Sequence, residues 1–169
     1  MDISLHIDEA YAAQIDAEAI EQAIVTTLQL AKADPVLIQE GSVALTITDR
    51  ETVQQLNLQY LGIDEPTDVL SFENVPDADF PEVETGMSRH LGDIVIAYPV
   101  AEAQAASAGH EPMAEVSLLA VHGALHLLGF DHDDPERKEE MWAVQQQIMS
   151  ELGLAHVQPT EEAHGGRPD

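Results

Sequence analysis

Between Glu111 and Leu128 the chain reads EPMAEVSLLAVHGALHLL, apolar nearly all the way round a helix, and this stretch limits the possible folds more than any other. A helix without a wide polar face cannot lie on a surface, so it must run through the middle of a domain with other elements packed around it. With 169 residues there is enough chain for one such core and too little for two. A single domain over residues 1–154 is therefore expected, followed by a disordered tail, 155–169, that contains Gly165, Gly166 and Pro168.

The elements that would surround the helix alternate in kind. Ile3, Leu5 and Ile7 alternate with polar residues, as do Val43, Leu45 and Ile47, which predicts two half-buried strands. Ile20, Ile24 and Leu28 recur at helical spacing between them. After the second strand Asp49 can cap a helix that carries Val53, Leu56 and Tyr60 and closes at Gly62. Thr67–Phe72 and Leu91–Ala97 predict further buried strands, and Asn74–His90, with Pro76, Pro81 and Gly86, reads as a loop. Pro99 opens the next helix and Gly109 closes it. Asp134 and Pro135 start a last helix that buries Met141, Val144, Ile148 and Leu152 before Gly153. The order predicts an α/β domain with the apolar helix at its centre.

That central helix also holds the chemistry. The chain has no Cys, so disulfides, thiol nucleophiles and Cys-based zinc sites are excluded, and any metal must be held by His or carboxylate. In Val121–Asp134, VHGALHLLGFDHDD, His122 and His126 are four residues apart and share a helix face, with Cβ atoms roughly 5–6 Å apart. Gly129 stops the helix, so that His132 can fold back toward the same point. Three imidazoles and a water make a catalytic zinc arrangement, in which the ion lowers the pKa of the water to about 7. A lone His on an apolar helix is usually a packed core residue. Two in register with a third after a turn would leave polar groups buried at a cost of about 1–3 kcal/mol each, which a shared ion removes for one nitrogen of each ring.

Other residues in the segment carry less. Gly123 stands where the HExxH metalloprotease motif has its catalytic Glu, which weakens a protease reading and suggests a helix-packing contact. Asp131 and Asp133 flank His132 and either could orient a ligand ring or accept a proton, although capping and solvation explain such residues equally well. His6, His90, His110, His156 and His164 form no cluster and receive no role.

The charge is extreme: 32 acidic residues against 6 Lys plus Arg, a formal net charge of -26. Such a surface repels nucleic acid and anionic membranes. It suits either a solvated surface adapted to high salt, where the Debye length falls to about 3 Å at 1 M, or an acidic interface for a basic partner. The N-terminus MDISLHIDEA has no basic n-region and no stretch approaches a bilayer-spanning apolar run, so a soluble cytoplasmic protein is expected.

At these residues the chain resembles the YbeY family of bacterial endoribonucleases, the ribosomal RNA maturation factors. Beside VHGALHLLGFDH, the segments LNLQYLGIDEPTDVLSF (Leu56–Phe72), LGDIVI (Leu91–Ile96) and Lys138–Gly153 resemble the family in the same order. The resemblance implies an α/β fold with helices packed on a mixed, mostly parallel sheet, and zinc held by His122, His126 and His132. It also implies cleavage of single-stranded RNA at the three-prime end of small-subunit ribosomal RNA, a role in ribosome quality control, and contact with the ribosome or its proteins. DNA and membrane are not among the implied partners. Where the family carries Arg after the Tyr of LNxxY, Tyr60 is followed here by Leu61. Arg50 and Arg89 are the nearest substitutes along the chain, and Ser71 is a candidate for lining the cleft. Catalysis is thus assigned to His122, His126 and His132 through the ion, with Asp131 and Ser71 as weaker candidates. The nucleophile is either water or the RNA 2′-hydroxyl, and Ni, Cu or Fe would also suit three imidazoles. Two alternatives remain open at this point: a structural zinc in a partner-binding protein, and a zinc hydrolase of another substrate.

Overall fold

The computed structural model of the protein describes residues 1–74 and 89–158. Strands β1 (Asp2–Ile7) and β2 (Gly41–Thr48) form where the apolar residues alternate, and they pair in parallel with Ile3 opposite Val43 and Ile7 opposite Ile47. A parallel pair needs a long crossover. Here it consists of a 3₁₀ helix (Glu9–Gln14), α1 (Ala17–Leu30) and α2 (Pro35–Glu40). The two short helices have six residues each, too few for a periodic pattern, and were not foreseen.

Helix α3 (Arg50–Leu61) starts at its expected cap, Asp49, and ends at Gly62 in the left-handed conformation that Gly adopts at least cost. Tyr60 departs from the expected apolar stripe: it is 61% exposed and leans on the Phe72 ring at 5.3 Å. Strands β3 (Val69–Glu73) and β4 (Arg89–Ala97) are antiparallel, and β4 lies parallel to β2, which gives the order β1-β2-β4-β3. The sheet is therefore mixed and mostly parallel, as expected. Arg89 and His90, assigned above to the loop, already pair with Gly41 and Ser42, because a main-chain ladder does not require apolar side chains. The rest of that loop, residues 75–88, falls outside the described residues. Helices α4 (Tyr98–Ala108), α5 (Pro112–Leu127) and α6 (Pro135–Glu151) complete the domain.

Alternation along the strands sorts their side chains onto two faces. Val43, Leu45, Ile47, Val69, Ile94 and Ile96 join α1, α5 and α6 in the main core, whereas Leu70, Val95 and Ala97 meet Val53 and Leu56 of α3 on the other face. Every residue of α5 from Ala114 to Leu127 is buried, as a helix apolar on all sides requires. One boundary moves. Val157, placed above in the tail, is fully buried in the main core, since a lone Val in a polar run has no periodicity to reveal it. Residues 159–169 of the tail fall outside the described residues. Among the described residues no helix is long and apolar enough to cross a membrane.

Candidate metal centre

The C-terminal end of α5 lies over the start of β4. A Cβ on Gly92 would stand 2.6 Å from a methyl of Leu127, and one on Gly123 would stand 2.9 Å from Cγ2 of Ile94. Both glycines let the helix approach the sheet closely. The side of α5 at Gly123 therefore faces β4, so a carboxylate there would press into the core rather than reach the metal site, which supports the packing reading of this residue.

His122 meets Gln145 and Trp142 of α6, and His126 lies beside it with ring centres 4.7 Å apart. The chain then turns back. Gly129, at φ 94°, donates to the His126 carbonyl at 3.0 Å, and Phe130 N–H donates to the Leu125 carbonyl at 3.0 Å, closing the helix in the pattern of a glycine C-cap. Asp131 Oδ1 accepts from the backbone N–H of His132 at 2.7 Å, and Asp134 caps α6 by accepting from Arg137 N–H at 2.8 Å. His132 is thereby fixed between two helices.

The result is a cluster of three imidazoles whose ligand nitrogens all lie within 4.8 Å of one another. Nε2 of His122 and Nε2 of His126 are 3.1 Å apart. A tetrahedral zinc bound at about 2.0–2.1 Å would hold its nitrogens about 3.3 Å apart, so the pair already has the required spacing. Nε2 of His132 is buried without a hydrogen-bond partner. An orphaned buried nitrogen costs about 1–3 kcal/mol, and an ion at the centre of the cluster would remove that cost. The residues present fit a metal.

Two residues of α6 that the sequence reading missed complete the surroundings. His122 Nδ1 and Gln145 Oε1 are 3.0 Å apart; with Nδ1–H donating to the amide oxygen, the lone pair of Nε2 is left for the ion. Trp142 stacks on His132 at 5.9 Å and 15°, and its ring centre is 5.7 Å from that of His122, so that an indole forms one wall of the site. A signal for Gln145 existed. It stands four residues after Met141 and three before Ile148, a polar residue within the buried stripe of α6.

The remaining candidates sort by position. Asp131 acts on the backbone of His132 and not on its ring, and Asp133 pairs with Arg137 at 3.3 Å. Ser71 lies on the β3 face toward α5 and lines, with Glu73, His126, Asp131 and Arg137, a cavity of about 220 Å³ beside the cluster. Arg50 begins α3 just after Thr48, at the end of β2 remote from the Val43–Gly92 pair over which α5 ends, and so stands away from the site. Neither Arg89 nor the exposed Leu61 lines this cavity. The cation beside the cluster is instead Arg137, which becomes visible only once α6 folds back against α5.

Comparison with known proteins identifies the family. Residues 6–153 match the family model described as Endoribonuclease YbeY. The Endoribonuclease YbeY of Roseiflexus sp. (strain RS-1) is 41% identical over 155 residues, covering 90% of this chain and 94% of its own. That of Geobacillus kaustophilus is 40% identical over 161 residues, covering 90% and 99%. The solution structure of TM1509 from Thermotoga maritima, 21% identical, superposes with a TM-score of 0.52 over 89% of this chain and 91% of its own, and so shares the fold. Matched along nearly its whole folded length, with the three imidazoles inside the matched region, the chain belongs to the endoribonuclease YbeY family.

Proposed function

We propose that this protein is a zinc-dependent endoribonuclease that cuts single-stranded RNA in the cytoplasm, with the three-prime end of small-subunit ribosomal RNA as its substrate. The observation that carries the reading is the convergence of His122, His126 and His132 on one point that borders an open cavity. Three protein ligands leave a tetrahedral ion one position for chemistry. The names of the relatives supply the substrate class, which geometry alone does not.

Each residue then has a task. His122, His126 and His132 would hold the ion; Gln145 fixes the tautomer of His122, Asp131 fixes the backbone of His132, and Trp142 excludes water from the far side. Bound there, a divalent ion supplies a Lewis acid that acidifies water and draws charge from a phosphate oxygen. Ser71 offers a hydroxyl on the cavity side of His126, within the space a phosphodiester would occupy. Attack by water leaves a simple phosphate end, and attack by the neighbouring RNA 2′-hydroxyl leaves a cyclic phosphate, so end-group analysis separates the two routes. The net charge of -26 favours the ribosome's basic proteins as docking partners.

The test is metal content together with cleavage of a short single-stranded RNA, for wild type and His126→Ala, in low and high salt. Near-stoichiometric metal with cleavage, both lost in the variant, is expected. A fully loaded protein that cuts no RNA at any salt would instead favour a role in ribosome binding.

A further inference from the structure

We infer that Arg137 grips a substrate phosphate beside the metal ligands, an inference that rests on the RNA-cleaving role proposed above. With 32 acidic residues and 6 Lys plus Arg, the chain as a whole repels a polyanion, so the attraction that brings RNA to the ion must be local. Arg137 is placed to supply it. It lines the 220 Å³ cavity beside His126, and it also lines a second cavity of about 250 Å³ that shares Gly129, Phe130 and Asp131 with the first. Among the described residues it is the one Lys or Arg along either wall, where Glu73 and Asp131 of the first cavity and Asp131 and Glu140 of the second would otherwise leave only negative charge.

The guanidinium is held in place without being used up. Nη1 lies 3.3 Å from Asp133 Oδ2 and Nη2 lies 3.5 Å from the Gly129 carbonyl, both long contacts, and the side chain remains 49% exposed. Gly129 sits in the turn that joins His126 to His132, so this tether ties the charge to the segment that carries the metal ligands. A guanidinium has five donors in a planar fork, which leaves enough free to bind a phosphate through two parallel bonds. The competing explanation is an exposed ion pair with Asp133, which would contribute little to stability and nothing to cleavage.

The two explanations separate with the metal-loaded protein and a short single-stranded RNA. Arg137→Ala, Arg137→Lys and, as a charge control at the far end of the sheet, Arg50→Ala are compared for kcat, KM, metal content and melting temperature across a KCl series. We expect Arg137→Ala to lower kcat/KM about tenfold or more, mainly through KM, with metal content and melting unchanged. Arg137→Lys should fall between, and Arg50→Ala within about twofold of wild type. The slope of log kcat/KM against log salt should become shallower by about 0.7 in Arg137→Ala, the loss of one phosphate contact on a single strand. Activity and slope equal to those of Arg50→Ala would overturn the inference. If the loaded wild type cuts nothing, the cleavage reading fails and binding of the same RNA decides: equal binding by wild type and Arg137→Ala overturns the phosphate grip as well, and weaker binding by the variant upholds it.

Discussion

Oε1 of Gln145 stands 3.0 Å from Nδ1 of His122, and this contact connects α6 to the histidine-bearing end of α5. Both side chains are buried, so the tautomer it selects is not in competition with water. Gln145→Leu preserves the volume approximately and removes the acceptor. We expect the fold to survive and metal affinity to drop about 10–100-fold, the usual cost of losing a partner behind a ligand imidazole. Competition with a chelator of known affinity measures this. Unchanged affinity would mean that the packing of Trp142 against His122 suffices to orient the ring.

Gly123 tests how closely α5 must approach the sheet. Alanine is favoured over glycine inside a helix by about 1 kcal/mol, and on that ground Gly123→Ala should stabilise. The added Cβ would meet Cγ2 of Ile94 at 2.9 Å, on a β-branched side chain that is fully buried in a central strand. Overpacking of this kind costs about 1–3 kcal/mol, so the variant should be net destabilised by about 1 kcal/mol. In an Ile94→Ala background the same change should become neutral or stabilising. Denaturant unfolding of the four proteins yields the coupling, and additive effects would rule out the contact as the reason for the glycine.

Gly123, His122 and His126 also show how far the sequence could be read. The all-round apolar pattern of α5 and its histidine spacing announced both the buried helix and the histidine cluster, because α5 carries two of the three imidazoles and the third follows closely after its end. Caps did as well: Asp49, Gly62, Gly109, Asp134 and Gly153 all stand at the expected helix ends, since each acts on its own neighbours in the chain. Relations across the chain stayed hidden. Gln145, Trp142 and Arg137 come to the site through the fold of α6 against α5, and the sequence points to Arg50 and Arg89 without Arg137 because position along the chain says nothing about which end of the sheet a residue occupies. Val157 was missed for the same reason, as its burial depends on a core formed by distant residues.

Asp49 gives the chain a pH-dependent element outside the site. Its Oδ1 accepts from Thr52 N–H at 2.6 Å, and hydrogen bonds from the Thr52 side chain and backbone hold its carboxyl below the usual carboxylate range. The folded-state pKa is depressed, so the stabilisation is present above the unfolded-state value near 3.8 and is lost as pH falls through the folded value. Asp49→Ala should destabilise by about 1 kcal/mol at neutral pH, the ordinary cost of removing a helix cap. The gap between the variant and wild type should close as pH is lowered below about 4. A constant gap in thermal melts across that range would show that the charge of Asp49 is not what stabilises α3.

Removal of the ion separates a catalytic site from a structural one. The main core of Ile20, Ile24, Leu45, Ile96, Leu118 and Met141 packs without help from the histidines, and it spans α1, the sheet, α5 and α6. Chelation should therefore leave the protein folded while abolishing cleavage, and only the linkage energy should be lost. At a free-ion concentration 100 times the dissociation constant this is about 2.7 kcal/mol, equivalent in a domain of this size to a melting temperature lower by roughly 5–10 °C. Acid should have a similar effect, since imidazoles bind metal only when neutral and protons compete for the same nitrogens. Restoring the ion at neutral pH should recover both melting temperature and activity. Cooperative unfolding on chelation at room temperature would instead assign the ion to the fold and count against the enzyme reading.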